Sequence, residues 1–212
     1  MRDADTATSR PTGVRRDGRV AGVVLAAGAS SRLGTNKLLI EVGGEAVVRR
    51  TARRALEGGL APVIVVLGFE ADRVARALEG MDVTLAVNPD HAGGMHLSLR
   101  TGIGRVPADC EAAVVLLADM PLVTSAMSAG LVARFRDGAE PLVISRYGDV
   151  QAPPTLYARR LFPALAEADE AAGRRIVRDH RDEAAAMEWP PALLADLDHP
   201  GDVDRLRSRM TE

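Results

Sequence analysis

The sequence predicts an α/β fold, a three-layer α/β/α sandwich around a mostly parallel, Rossmann-like sheet. Two observations carry that prediction. Short apolar runs rich in β-branched residues recur along the chain, and each stops at Gly, Pro or Asp, the pattern of strands buried on both faces. Segments with apolar residues at helical spacing lie between them, so strands alternate with helices, and right-handed crossovers place helices on both faces of one sheet.

The first strand is "RVAGVVLAAG", which ends at Gly28. The pattern returns in "PVIVVLG" from Pro62, "VTLAV" from Val83 and "AAVVLLADMP" from Ala112. "AVVRRTARRALEGG" is a helix that closes on a glycine pair, and "EADRVARALEG" closes on glycine in the same way. Further helices are expected over 95–105 and 125–136, followed by a strand at "PLVISR". Beyond Arg146, "YGDVQAPPTLYARRLFPALAEADEAAGRRIVRDH" reads as a Pro-rich loop and two helices, and "LLADLDHPGDVDRLRS" as a last short strand and helix.

A chain of 212 residues suits one domain. The opening "MRDADTATSRPTGVRRDGR" lacks the apolar run of a signal peptide, so residues 1–18 read as a flexible extension and 19–212 as a single domain. Hydrophobic residues at 47% and charged residues at 26% are ordinary for a globular protein. A net charge of −2 with 3% aromatics argues against a nucleic-acid partner, which would want a basic face and stacking surfaces. No stretch of about 18 apolar residues is present to span a membrane. The lone Cys110 forms no internal disulfide and no Cys-based metal site, so a cytoplasmic location is expected.

Chemistry concentrates in the loop after the first strand, because ligands of open α/β sheets sit at the carboxyl ends of strands. The loop "GASSRLGTNK" holds the only lysine among 27 basic residues. It is not the P-loop of NTPases: five residues separate Gly28 from Gly34, two more precede Lys37, and no Ser or Thr follows the lysine. It is not the dinucleotide fingerprint either, since Ser30 occupies the second glycine position. Glycine freedom at Gly28 and Gly34, hydroxyls at Ser30 and Ser31, and cations at Arg32 and Lys37 suit a triphosphate. A compact ammonium on a flexible stem can follow a phosphate oxygen as charge moves, which a rigid guanidinium fork does less well.

Here the chain resembles a known family. "LAAGASSRLGTNKLL" resembles the signature LAAGxSxRxGxxKxL of nucleotidyltransferases with a MobA-like fold, and "NKLL", "NPDHAGGMHLSLRTG" and "LADMPLV" look most like molybdenum cofactor cytidylyltransferases. The similarity runs from Val20 to about Arg207 and implies a fold of the nucleotide-diphospho-sugar transferase type. It implies that Leu25, Ala26, Ala27, Gly28, Ser30, Ser31, Arg32, Gly34 and Lys37 bind nucleotide. It also makes Arg32, Lys37 and Asp119 the catalytic set.

Nucleotidyl transfer calls for a hard divalent metal, here Mg²⁺, held by carboxylates. Asp119 ends the apolar run "AAVVLLA", where an unpaired carboxylate would be costly to bury, so its side chain is expected in the cleft; a turn or helix-cap aspartate is the plainer reading. It matches the metal-binding Asp of the family's GDMP motif, with Ala118 in place of glycine adding a methyl beside the metal. Asp198 of "DLDHP" matches the second carboxylate of a DxDTP motif, the alternative being a capped turn. Gly93, Gly94 and Ser98 lie where a backbone can approach a base edge and a hydroxyl can bond it.

The "LAAG" form, against the LAGG of guanylyl relatives, implies a pocket narrowed by Ala27 toward a pyrimidine. The resemblance therefore implies transfer of CMP from CTP to the terminal phosphate of molybdopterin or molybdenum cofactor, with a molybdoenzyme or its chaperone as a further partner. The family's G-H-P is here Ala152, Pro153 and Pro154, and its GAR motif reads A-G-R, so the acceptor pocket departs from the pattern. The alternatives are a guanylyl or other transferase acting on a different phosphorylated small molecule, and a non-catalytic cofactor-binding maturation factor.

Overall fold

The computed structural model describes residues 16–29, 35–167, 172–195 and 202. Strand β1 (Arg19–Ala26) is followed by a small hairpin of β2 (Glu41–Val42) and β3 (Glu45–Ala46), then by α1 (Val47–Glu57), β4 (Val63–Leu67), α2 (Ala71–Ala77), β5 (Thr84–Val87) and α3 (Met95–Ile103). The second half holds β6 (Cys110–Leu117), α4 (Ser125–Asp137), β7 (Leu142–Tyr147), β8 (Val150–Gln151), β9 (Thr155–Ala158), α5 (Phe162–Ala166), α6 (Ala172–Asp179) and β10 (Ala184–Trp189). The main sheet runs β10-β7-β9-β6-β1-β4-β5, with β8 paired to β7. β4, β5 and β6 run parallel to β1, and β10 runs parallel to β7; β9 is antiparallel to both of its neighbours. The mixed, mostly parallel three-layer sandwich is thus the expected one.

Alternate residues of each strand feed two cores. Val24, Val65, Val114 and Val143 face α1, α2 and α4, whereas Val23, Val66, Val115 and Leu142 face α3, α5 and α6. Double-sided burial is why these strands are continuous apolar runs. Each fully buried Val or Leu contributes about 1.5–3 kcal/mol relative to exposure.

Three elements differ from expectation. The Pro-rich segment after β7 contains β9, wedged between β6 and β7, where Leu156 pairs with both Val114 and Val143. β10 forms from "AAAMEW", whose three alanines give no β-propensity signal, because β7 supplies a parallel partner along its whole length. The strand expected in "LLADLDHPGDVDRLRS" does not begin in its described part: Pro191–Leu193 is a 3-10 turn, Leu194 and Ala195 are irregular, and residues 196–201 and 203–212 lie outside the described residues.

The end of the expected extension is docked. Arg16 donates from Nη1 to the carbonyls of Phe135 (3.3 Å) and Glu140 (2.9 Å) and from Nη2 to that of Ala139 (2.8 Å), with its guanidinium 4.2 Å from the centre of the Phe135 ring. A cation is favourable at this carboxyl end of α4. Residues 1–15 lie outside the described residues.

Helix α3 lies close to the sheet because Gly102 has no side chain. A Cβ there would sit 2.4 Å from Cγ1 of Val23 and 2.9 Å from Cγ2 of Val66, so an alanine forces the helix outward. Gly102→Ala should therefore lower stability by about 1–2 kcal/mol in denaturant unfolding, even though alanine is ~1 kcal/mol the better helix former. A variant as stable as the parent would contradict the close contact.

Candidate active site

The chain passes from β1 outward to β4 and β5, then returns to the other side of β1 as β6, so the strand order reverses at β1. A crevice opens at the carboxyl ends of strands at such a point. Here it is a cleft of about 370 Å³ whose lining includes Leu25, Ala27 and Gly28 after β1 and Leu117 and Asp119 after β6. The ladder continues one step past β6, with the amide of Ala118 donating to the carbonyl of Leu25 at 3.0 Å. The hydroxyl of Thr51 on α1 donates to the Ala118 carbonyl at 3.1 Å, a bond buried on both sides. These bonds fix the backbone that carries Asp119.

Lys37 reaches the cleft from a 3-10 turn, Lys37–Leu39. Leu38 anchors that turn in the α1-side core at 3% exposure, and the side-chain oxygen of Asn36 caps it by accepting from the amide of Leu38 at 3.1 Å. The structure buries most of the Lys37 side chain, leaving 15% exposed. Its Nζ stands 2.6 Å from Oδ2 of Asp119, itself 25% exposed. Such a pair is screened less than a surface ion pair, and removing one partner weakens the compensation of the other charge.

Opposite this pair lies the wall from β5 and α3. Gly94 takes φ 116° at the start of α3, a conformation open to glycine, and it lines the cleft together with His91 and Ser98. Asn88, buried at the end of β5, donates from Nδ2 to Oγ of Ser98 at 3.0 Å, while its Oδ1 accepts from the amide of Asp90 at 3.0 Å. Since Ser98 Oγ already accepts from Asn88, its own proton is directed to another acceptor. Gly68 is required beside Ala27: a Cβ there would meet the Cβ atoms of His91 and Ala27 at 2.5 and 2.7 Å.

Of the residues expected from sequence, Leu25, Ala27, Gly28, Lys37, Gly94, Ser98 and Asp119 all line this one cleft. Ala26 points into the opposite core, and Gly93 adjoins the lining with its Cα facing Leu97. Ser30, Ser31, Arg32, Gly34 and Asp198 lie outside the described residues. The methyl of Ala118 does not stand beside Asp119 in the cleft: it is fully buried in the core under α1 and α4. Sequence reasoning missed Thr51, Gly68, Asn88 and His91. Asn88 and His91 lie in the segment "NPDHAGGMHLSLRTG" noted above, and Asn88 also stood out as a polar residue ending an apolar strand.

A β1–β6 crevice bearing a lysine and a carboxylate, at a reversal of strand order, lies where open α/β folds bind ligands. The chain matches the MobA-like NTP transferase domain over residues 22–185, and it belongs to that family of nucleotidyltransferases. It is 30% identical over 205 residues to a probable molybdenum cofactor guanylyltransferase of Natronomonas pharaonis, covering 92% of this chain and all of that one. It is 34% identical over 138 residues to the bifunctional protein GlmU of an Anaeromyxobacter strain, of which it spans 28%. The crystal structure of Rv0371c from Mycobacterium tuberculosis superposes with a TM-score of 0.80 at 27% identity, covering 91% of this chain and 100% of that one. A second structure of that protein, described as a complex with manganese, gives a TM-score of 0.74 at 26% identity, covering 90% and 98% of the two chains. Among the described residues no helix is long and apolar enough to cross a membrane.

If Lys37 and Asp119 compensate each other, Lys37→Met and Asp119→Leu should each lower stability by about 1–3 kcal/mol. The double variant should then lose clearly less than the two single losses added together, as thermal or denaturant unfolding of all four proteins would show. Additive losses would mean that the two charges do not support each other.

Proposed function

We propose that the chain transfers CMP from CTP to the terminal phosphate of molybdopterin or molybdenum cofactor and releases pyrophosphate. A phosphate oxygen of the acceptor forms a bond to the α-phosphorus of CTP as the bond from that phosphorus to the bridging oxygen breaks, and the bridging oxygen leaves with its electron pair on pyrophosphate. A phosphate monoester is largely ionised near neutral pH, so no general base is needed, and the work of the site is alignment and charge stabilisation.

The observation that carries this reading is the Lys37–Asp119 pair in the cleft. The Lys37 ammonium holds triphosphate oxygens, and Arg32 is the second cation assigned to them. Asp119 is the only carboxylate lining the cleft among the described residues. One carboxylate beside substrate phosphates is the donor set Mg²⁺ accepts, with Asp198 proposed as the second. Bound there, the metal would neutralise charge on the departing pyrophosphate. As the triphosphate draws the lysine, the carboxylate is released for the metal.

Two features support a pyrimidine. Ala27 adds a methyl to the cleft wall, and Ser98 presents a proton suited to an acceptor such as the O2 of cytosine. The Watson–Crick edge of guanine presents one acceptor, O6, beside two adjacent donors, whereas that of cytosine presents two adjacent acceptors, N3 and O2. Asn88, the polar side chain behind this wall, has its oxygen committed to the amide of Asp90. GTP is the competing donor, because the Natronomonas relative is named a guanylyltransferase.

Thermal unfolding with Mg²⁺ and saturating CTP, GTP, UTP or ATP discriminates among donors, since a ligand at ~100 times its dissociation constant adds ~2.7 kcal/mol. CTP alone should raise the midpoint, and Lys37→Ala should abolish the rise. A rise with GTP instead would overturn the assignment to CTP.

A further inference from the structure

Helix α1 carries four arginines, and three of them have plain structural tasks. Arg53 pairs with Glu45 at 2.8 Å and Arg54 with Glu57 at 3.1 Å, while Arg49 donates to the carbonyls of Ala77 and Glu79 where α2 ends. Arg50 is placed differently. Burial, and after it repulsion from Arg54, hold its guanidinium below the usual arginine range. Its one hydrogen-bond partner among the described residues is the carbonyl of Pro121, which accepts from Nε at 3.2 Å. A cation drawn out of water without a paired carboxylate is costly, so its place against this carbonyl calls for a cause.

Pro121 follows Asp119 by two residues, and Ala118 precedes it by one. The carbonyl of Ala118 accepts from Thr51, the next residue of α1, at 3.1 Å. Two consecutive helix residues therefore grip the backbone on either side of Asp119. Adjacent residues of an α-helix point roughly 100° apart, so the two donors reach the turn from different directions and restrict its twist as well as its position. The helix is itself braced against the turn that carries Lys37. The amide of Val47 donates to the carbonyl of Ile40 at 3.0 Å, and Leu38 shares a core with Val48, Ala52 and Ala55.

We infer that Arg50 is a positioning residue for the Asp119 carboxylate. While Lys37 pairs with Asp119, the ammonium itself aims the carboxylate. Once a triphosphate draws the lysine away, that aim rests on the backbone, which Arg50 holds on one side of Asp119 and Thr51 on the other. The inference rests on the reading above, in which Asp119 holds the metal. Arg50 is not among the residues lining the cleft, and it acts through the Pro121 carbonyl.

The test uses Arg50→Met, which keeps an apolar stem and loses the donor, and Arg50→Lys, which keeps a cationic donor; circular dichroism confirms that each is folded. Hydrogen exchange read by mass spectrometry reports the grip directly, because the amides of Ala118, Met120 and Val123 donate to the carbonyls of Leu25, Leu117 and Met120. In Arg50→Met the peptide over 118–123 should exchange at least tenfold faster than in the parent, with other peptides unchanged and Arg50→Lys close to the parent. In a Lys37→Met background, where no ammonium aims Asp119, adding Arg50→Met should weaken Mn²⁺ binding at least tenfold. Transfer by Arg50→Met should lose at least tenfold in kcat, with the KM for CTP unaltered. Exchange as slow as in the parent, or faster exchange with Mn²⁺ affinity and kcat unchanged, would overturn the inference. Faster exchange in Arg50→Met, with no Mn²⁺ bound by the parent or by Lys37→Met, would sink the metal reading of Asp119 and leave the grip on its backbone standing.

Discussion

The ion pair between Lys37 and Asp119 is the constraint around which the cleft is organised. A lysine and an aspartate stand 2.6 Å apart, each largely withdrawn from water, at the mouth of the strands that form the cleft. Neither residue is placed by its own loop alone. Asp119 follows a β6 end tied to β1 by the Ala118–Leu25 bond and to α1 by Thr51, whereas Lys37 sits on a turn pinned by the buried Leu38. The sheet and α1 thereby set the separation of two charges that are far apart in sequence.

The opposite wall follows the same logic of rigid support. Gly102 lets α3 lie against β1 and β4, which brings Ser98 to the cleft, and Asn88 then holds its hydroxyl. Gly68 lets the turn after β4 press against Ala27 and His91. Small residues under the wall and a buried amide behind it give this side of the cleft a fixed shape, and under the proposed function such preorganisation would favour discrimination between bases.

Much of this was legible in the sequence. Strands buried on both faces write themselves as apolar runs, so β1, β4, β6 and β7 stand out, and the only lysine marks the turn opposite Asp119. β9 and β10 were hidden because their strand character comes from partners rather than local composition: one follows a proline pair and the other is rich in alanine. Thr51 was hidden for a related reason, and Asn88 showed only as a polar residue ending an apolar strand, since a buried polar side chain reveals its purpose only when the carbonyl or hydroxyl it bonds comes near in space. Ala118 is instructive in the other direction. Its methyl was expected beside the metal, yet strand alternation turns it into the core while Asp119 faces the cleft.

The most direct test of the ion pair's role is a Mn²⁺ titration of nucleotide-free protein, followed by electron paramagnetic resonance, for the parent chain and Lys37→Met. If the ammonium occupies Asp119 until a triphosphate draws it away, the variant should bind Mn²⁺ at least tenfold more tightly than the parent, and Lys37→Met/Asp119→Asn should lose that gain. Equal or weaker Mn²⁺ binding by Lys37→Met would contradict a lysine that guards the carboxylate.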